Sequence, residues 1–254
     1  MSRGTSGLFS GRIVALVAAA LLVAAWSPRG ARAAEGEPDV GFMKVTLMPE
    51  YDSSSVLVIE EGKFADRSAF PRAVVFYLPP NVTKLTDVCS LSPSGHHFCQ
   101  LFDIKKMPDK NVLNMKLPYS DFFIDFDYSP FKAAAKTGRD FTFPLEPNYN
   151  IRNLEVLIQK PYRAERFSVT PASAETVEKE GYQYLKYGFQ NVRAGELKNF
   201  RISYFKQDAM PSVNSKYSAM AKTHLFQDYS AEIILAVGVV GIAAAWMVKR
   251  RKAA

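Results

Sequence analysis

Two cysteines and two histidines lie within eleven residues and are the side chains best suited to chemistry in this sequence. Cys89 and Cys99, the two cysteines of the chain, flank a turn-forming stretch at residues 92–95, and His96 and His97 follow that stretch. Thiols on either side of a short turn can join neighbouring strands as a disulfide. The same four side chains are also of the types that bind zinc or copper.

The disulfide is the interpretation that the pattern favours. Oxidised cysteines cannot bind a metal as thiolates, the sequence has no C-x-x-C motif, and adjacent histidines in a strand point to opposite sides. We therefore predict a structural Cys89–Cys99 disulfide, and we expect no metal ion and no other cofactor. His96 and His97 are the candidate ligands of the alternative, a metal or redox site.

Asp125 and Asp127 are the second pair of residues that could support chemistry. With Ser129 they open like a calcium loop, but Pro130 stands where that loop needs glycine and Lys136 where it needs glutamate. A pair of glycosidase carboxylates is another interpretation. Because the two acids alternate with aromatic residues, the solvated face of a strand is favoured. Motifs for a nucleophile elbow, a zinc protease, a phosphate loop or a dinucleotide site are absent from the sequence, so we predict no catalytic residues and no enzyme activity.

Alternating apolar and polar residues predict that strands position these groups. Residues 113–117 and 122–128 alternate, a short apolar run at 56–59 is expected to end at 60–62, and proline or glycine follows most such segments. Short helices fit only residues 130–136 and 173–180. The predicted fold class is all-β, an antiparallel β-sandwich of immunoglobulin-like or jelly-roll-like type. One continuous sandwich is favoured over two lobes split near residues 144–150.

The two ends of the chain predict export and anchoring. Residues 1–33 combine early arginines, a fourteen-residue apolar run and an A-x-A site, the pattern of a cleavable signal peptide. Residues 231–248 are apolar except for Glu232 and are long enough to span a bilayer. The basic tail at 249–254 begins with four consecutive cations that are expected to stay in the cytoplasm: Lys249, Arg250, Arg251 and Lys252. The predicted ectodomain covers residues 34–206, and a stalk covers 207–230.

The net charge of +7 comes from these terminal segments. The predicted signal peptide holds four arginines and no acid, the tail holds four cations, and Glu232 offsets one of them. The predicted ectodomain is therefore close to neutral, and nothing in its charge favours nucleic-acid binding.

Together these patterns predict a binding or scaffolding module of the cell envelope. It would be held in the cytoplasmic membrane by one helix, with the N-terminal domain outside (periplasmic or extracellular) and the C-terminus in the cytoplasm. Its expected partners are the membrane and an envelope protein or glycan. The alternative function is an extracytoplasmic metal or redox factor, or a hydrolase, that uses the Cys89–Cys99 loop or the acidic strand.

Overall fold

All regular structure consists of strands in the part of the chain that the computed structural model describes, residues 37–173 and 175–217. The strands within those residues are β1 (Val40–Pro49), β2 (Val56–Phe64), β3 (Arg72–Leu78), β4 (Val82–Leu91), β5 (His97–Cys99), β6 (Phe102–Lys106), β7 (Asn111–Leu117), β8 (Asp121–Tyr128), β9 (Thr137–Leu145), β10 (Ile151–Gln159), β11 (Glu165–Thr170), β12 (Glu175–Lys179), β13 (Tyr182–Val192) and β14 (Lys198–Lys206). The described residues include no helix capable of crossing a membrane. The predicted signal peptide, the predicted membrane helix at 231–248 and the four cations Lys249 to Lys252 lie outside the described residues.

The strands form three sheets. The large sheet has eight strands in the order β12-β13-β10-β1-β2-β8-β4-β5, and the two small sheets have the orders β11-β14-β9 and β3-β7-β6. All pairs are antiparallel except β1 with β10 at the centre of the large sheet. The predicted all-β fold class is confirmed for the described residues, and the sheets are rich in antiparallel pairs. The parallel pair joins segments more than a hundred residues apart, a pairing that local periodicity does not reveal.

Alternation along the strands builds the main core. In β7, Leu113, Met115 and Leu117 are buried while Asn114 and Lys116 between them are exposed, as the period of two predicted. The main core cluster draws on all three sheets and on strands before and after residues 144–150. That segment is itself tied to β3, because the Val75 backbone N–H donates to the Tyr149 hydroxyl at 2.9 Å.

The large sheet is buried on both faces, which the sequence pattern did not predict. A second apolar cluster covers the face turned away from the main core, called here the outer face: Met48, Leu57, Ile59, Cys89, Phe123 and Tyr184. β2 continues through Glu60 to Phe64 rather than ending at 60–62, and Glu60 and Phe64 are buried while the residues between them are half-buried. Burial of the outer face explains why Asp125 of β8 is fully buried rather than solvated. Residues 175–179, expected to suit a helix, form the edge strand β12 beside β13.

A buried ionic network centred on Glu50 joins the large sheet to the β11-β14-β9 sheet. Glu50 follows β1 in a left-handed conformation with φ of 46°. Its carboxylate accepts hydrogen bonds from Arg139 Nε of β9 at 2.7 Å, and from the Tyr204 hydroxyl at 2.9 Å and Lys206 Nζ at 3.0 Å, both of β14. Glu50, Arg139, Tyr204 and Lys206 are all buried. Charges out of contact with water are stable only when they are paired in this way.

Residues 208–217, named here the C-terminal strap, lie against the same corner. The backbone N–H groups of Ser212 and Val213 donate to the carbonyl oxygens of Glu50 and Tyr51 at 2.7 and 2.8 Å. The Tyr217 N–H donates to the Asp52 carboxylate at 2.8 Å. The first part of the predicted stalk is therefore hydrogen-bonded to the domain.

Replacement of Arg139 by methionine tests how much this network contributes to the stability of the fold. The change leaves the Glu50 carboxylate buried with one cation fewer, so we expect a loss of about 3–5 kcal/mol in the free energy of unfolding. Urea unfolding of the purified protein, followed by tyrosine fluorescence, measures it. Arg201→Met is the matched control, because Arg201 lies on the same small sheet but pairs with Asp140 in solvent and should matter little. Equal losses in the two variants would contradict this account.

Candidate functional site

The two cysteines face each other at the edge of the large sheet. Cys89 of β4 and Cys99 of β5 occupy opposed positions in the antiparallel register. Cys89 is fully buried and Cys99 is exposed. Both cysteines are free in this structure, with no bond between the two sulfur atoms. Opposed positions on adjacent strands suit a disulfide, and the Cys89–Cys99 bond stays a prediction.

The two histidines take different positions. His96 lies in the turn before β5, where its Nδ1 is hydrogen-bonded to the Ser94 hydroxyl at 2.8 Å. His97 is two residues from Cys99 in the same strand, so the two side chains share the outer face. The His97 ring packs against Phe123 at a centroid distance of 5.0 Å. The structure thus associates His97, and not His96, with the face that carries the cysteines.

An irregularity in β4 brings an additional carboxylate to the cysteines. Leu85 pairs with Phe126 and Val88 pairs with Ile124, so two residues of β4 lie opposite the single residue Asp125. Such bulges redirect side chains and are common beside functional sites. One of the two residues at the bulge is Asp87.

Asp87, Cys89 and Cys99 form the group named here the cysteine cluster. One ligand atom from each lies within 4.8 Å of the other two. The Asp87 backbone N–H donates to Asp125 Oδ1 at 2.5 Å. Asp125 Oδ2 is buried and has no hydrogen-bond partner among the described residues. The structure therefore places the predicted cysteine pair and the first acid of the predicted acidic strand in one neighbourhood.

Burial dominates the electrostatics of this neighbourhood. It raises the pKa of the Cys89 thiol, with smaller contributions from Cys99, Asp87 and Asp125. It raises the pKa of Asp125 to about 7, and the Asp87 backbone N–H only partly opposes that shift. Both groups therefore resist acquiring negative charge when no cation is bound. Asp127, the second acid of the strand, lies apart from the cluster and accepts a hydrogen bond from the Ser55 hydroxyl at 3.0 Å.

A shallow cleft, named here the tyrosine cleft, adjoins the cluster on the outer face. Its volume is about 100 Å³. Aromatic rings and charges of both signs line it: Lys44, Thr46, Met48, Tyr51, Ile59, Glu61, Phe123, Leu157, Lys179, Glu180, Tyr184 and Tyr217. Phe123 links the two features, because it lines the cleft and is also the β8 partner of Cys89.

A third feature, named here the aromatic edge, is a group of exposed apolar side chains on and beside β5 and β6, together with a tyrosine that contacts β5. It consists of Phe98, Leu101, Phe102, Met107 and Tyr119. Leu101 is 97% exposed, and Phe98 and Phe102 are 45% and 44% exposed. Phe98 lies on β5 and Phe102 on β6, the end strands of two different sheets. The rings of Phe98 and Tyr119 contact each other at a centroid distance of 5.7 Å.

Glu60 is a further buried acid, within the main core. It is 2% exposed, and its Oε1 has no hydrogen-bond partner among the described residues. It lines two small cavities of about 30 and 20 Å³, together with Tyr77, Leu145 and Glu146. Burial raises the pKa of Glu60 to about 8.

Known proteins give no family for this chain. It matches no protein-family model and no curated protein. Among solved structures it is similar to a candidate protease from Parabacteroides distasonis ATCC 8503, with a TM-score of 0.40 and 10% identity over 66% of this chain and 40% of that one. It is similar to yeast LTA4 hydrolase in complex with bestatin, with a TM-score of 0.38 and 10% identity over 66% of this chain and 28% of that one. The chain thus spans less than half of either structure, and likeness at this level carries no argument about function.

The sequence did not single out Asp87 or the aromatic edge. Asp87 reaches the cysteines through a bulge, a property of strand register that no local pattern marks. The aromatic edge had a partial signal in the neighbouring apolar residues Leu101 and Phe102. Nothing in the sequence marked these two side chains as exposed, because their exposure depends on where β5 and β6 end their sheets.

Replacement of Glu60 by glutamine tests the buried acid. The folded protein holds the Glu60 proton up to about pH 8, whereas the unfolded chain releases it near the ordinary glutamate pKa. Wild-type stability should therefore fall as the pH rises from about 4.5 through 8. Glutamine cannot ionise, so the difference in unfolding free energy between Glu60→Gln and the wild type should move in favour of the variant as the pH rises, by about 5 kcal/mol from below pH 4.5 to pH 9. Urea midpoints at pH 5, 7 and 9 measure it, with Glu61→Gln on the same strand as the control. A difference between wild type and Glu60→Gln that does not change with pH would contradict the prediction.

Proposed function

We propose that this chain is a membrane-anchored binding module of the cell envelope that holds a protein partner at the aromatic edge. In this proposal the strands form a β-sandwich of immunoglobulin-like or jelly-roll-like type outside the cytoplasm. Residues 1–33 direct export, residues 231–248 anchor the chain, and Lys249 to Lys252 keep the tail inside. The support for export and anchoring is the pattern of the sequence.

The observation that carries the binding role is the exposure of the aromatic edge. Large apolar side chains gathered in one exposed patch commonly mark interaction sites. The side chains of Phe98 and Phe102 lie on the core-facing sides of their strands. Their cross-strand partners are Ser90 and Met115, respectively, and both partners are buried. They are half-exposed because no described strand continues either sheet beyond β5 or β6. A partner that covers this opening would bury side chains of the type that anchor interfaces.

A protein surface suits the aromatic edge better than a glycan does. The patch is rich in apolar groups, and a sugar would need a matching set of hydrogen-bond donors and acceptors. The tyrosine cleft has a more suitable mixture, but its volume of about 100 Å³ is below the 300–1,000 Å³ typical of ligand pockets. Lys105 and Lys106 beside the patch are exposed, so a partner with acidic groups around an apolar centre would be complementary.

Replacement of Leu101 by lysine tests the binding surface. The change places a charge at the most exposed apolar position, so we expect a partner cross-linked in the native membrane to be bound at least about tenfold more weakly. Leu197→Lys is the matched control, because Leu197 is also an exposed leucine, at 51%, but lies outside the aromatic edge. Quantitative mass spectrometry of cross-linked proteins compares the wild type with both variants.

Three results would count against the proposed surface. One is a set of cross-linked partners that is the same in Leu101→Lys as in the wild type. Another is equal loss of partners in both variants. The third is co-sedimentation of the wild type with purified envelope polysaccharide that depends on Tyr184 but not on Leu101, which would move the binding role to the tyrosine cleft and to a glycan.

The proposed topology has its own test. Protease added outside intact spheroplasts should remove the domain and leave a small fragment that contains residues 231–254. Replacement of Lys249 to Lys252 by serine should reduce the fraction of correctly oriented chains, because these cations are the proposed cytoplasmic determinant. Serine at Lys105 and Lys106 is the control and should leave orientation unchanged. Protection of the whole chain from external protease would rule out export.

A further inference from the structure

We propose that the reduced protein binds a thiophilic divalent cation of the Zn²⁺ class through Asp87, Cys89 and Cys99. Two sulfur ligands and one carboxylate oxygen favour Zn²⁺ or Cd²⁺ over the hard cations Mg²⁺ and Ca²⁺, which take oxygen ligands. This site is independent of the proposed binding module, because it lies on the outer face of the large sheet and needs no partner protein.

The spacing of the three ligands fits one ion. Their ligand atoms lie within 4.8 Å of one another. With Zn–S bonds of about 2.3 Å and Zn–O bonds of about 2.0–2.2 Å, tetrahedral ligands lie roughly 3.5–3.8 Å apart. Small side-chain rotations would therefore bring the three atoms to bonding distance. The strands themselves need not move, because Cys89 and Cys99 are already opposed in register.

Asp125 is an independent sign that a cation belongs here. Its side chain is 0% exposed, and its Oδ2 has no hydrogen-bond partner among the described residues. Buried polar atoms are nearly always satisfied, and a buried carboxylate is costly without a compensating charge. Because Asp125 Oδ1 accepts the Asp87 backbone N–H, its carboxylate lies immediately beside the proposed ligands. The Asp125 carboxylate can hold the backbone of the proposed ligand Asp87 in place or supply a further oxygen to the ion.

The charged groups around Asp125 do not fully compensate its buried carboxylate. The acids that act on Asp125 are Asp87 and Asp127, and Asp125 and Asp87 in turn act on the phenol of Tyr217. Lys84, which is exposed, is the cation that acts on Asp125. A divalent ion would replace this weak compensation and would allow both thiols to release their protons to water as they bind it. Exposed Cys99 supplies the entry route, and buried Cys89 supplies the enclosed ligand.

The metal site and the predicted disulfide use the same two sulfur atoms. Formation of the Cys89–Cys99 bond removes two protons and two electrons, and the electrons require an oxidant from outside the chain. The disulfide would leave no thiolate for a metal. Metal binding is therefore a property of the dithiol form, and the two forms can be separated by reductant.

The test is metal binding by the full-length protein, reduced under anaerobic conditions and freed of excess reductant. We expect one Cd²⁺ per chain by elemental analysis, ultraviolet absorption typical of cadmium–thiolate bonds, and protection of both thiols from a thiol reagent. Zn²⁺ in large excess should compete with Cd²⁺ and lower the absorption. Asp87→Asn should weaken Zn²⁺ binding about tenfold or more while it leaves both thiols in place. Cys99→Ser, at an exposed position, should halve the absorption and weaken binding further.

Asp103→Asn and His96→Ala are the matched controls, since both residues are exposed, lie close to Cys99 in the sequence and do not belong to the cluster. Both should bind Cd²⁺ like the wild type, and far-UV circular dichroism checks that every variant is folded. The proposal fails if reduced wild-type protein binds no more Cd²⁺ than Cys99→Ser. It also fails if Asp87→Asn binds as tightly as the wild type, or if the folded protein carries a disulfide that reductant cannot open. Binding lost in His96→Ala would move the site to the turn before β5.

Discussion

The Glu50 carboxylate is the interaction on which the rest of the architecture depends. It lies at the turn between β1 and β2, in the middle of the large sheet, and it is held by Arg139, Tyr204 and Lys206 of a different sheet. Desolvation of these charges is costly, and replacing such a network with apolar side chains often costs nothing in other proteins. Apolar contacts slide, however, whereas four donors and acceptors with fixed directions define one docking position. The left-handed backbone of Glu50 adds a strain of roughly 1–3 kcal/mol, which the network must offset.

A second constraint on the fold is that both faces of the large sheet are buried at its centre. The main core covers one side of β2 and β8, and the second apolar cluster covers the other. Polar groups at these positions must therefore find partners inside the protein. Glu60 on the core side and Asp125 on the outer side each retain one buried oxygen without a hydrogen-bond partner among the described residues. The two cases differ in their surroundings. Glu60 lines small cavities that it shares with both apolar and charged side chains, whereas Asp125 is hydrogen-bonded to Asp87, a member of the cysteine cluster.

Features that depend on neighbouring residues were predictable from the sequence, whereas features that depend on contacts between distant segments were not. Strand periodicity is local, so β7 and the core-facing side of β8 were predictable from the sequence. The fate of Asp125 was not, because alternation distinguishes two faces of a strand without indicating whether another layer covers the second. The parallel pairing of β1 with β10 and the bulge that positions Asp87 depend on contacts between distant segments. Residues 173–180 had a plausible helical composition, but pairing with β13 made residues 175–179 a strand. The opposition of Cys89 and Cys99, by contrast, follows from a short turn and was accessible from spacing alone.

The C-terminal strap also determines how the domain would carry mechanical load. The described residues end at Tyr217, whose backbone N–H donates a hydrogen bond to the Asp52 carboxylate. The Ser212 backbone N–H donates to the Glu50 carbonyl oxygen. Tension applied from the C-terminal side would therefore first load the turn after β1, before it reached β14. The hydrogen bonds of the strap would break one after another, beginning at Tyr217, and the last of them joins Ser212 to Glu50, whose side chain is the centre of the buried ion network. The most strongly cross-braced corner of the molecule is thus the corner that such a pull would reach first.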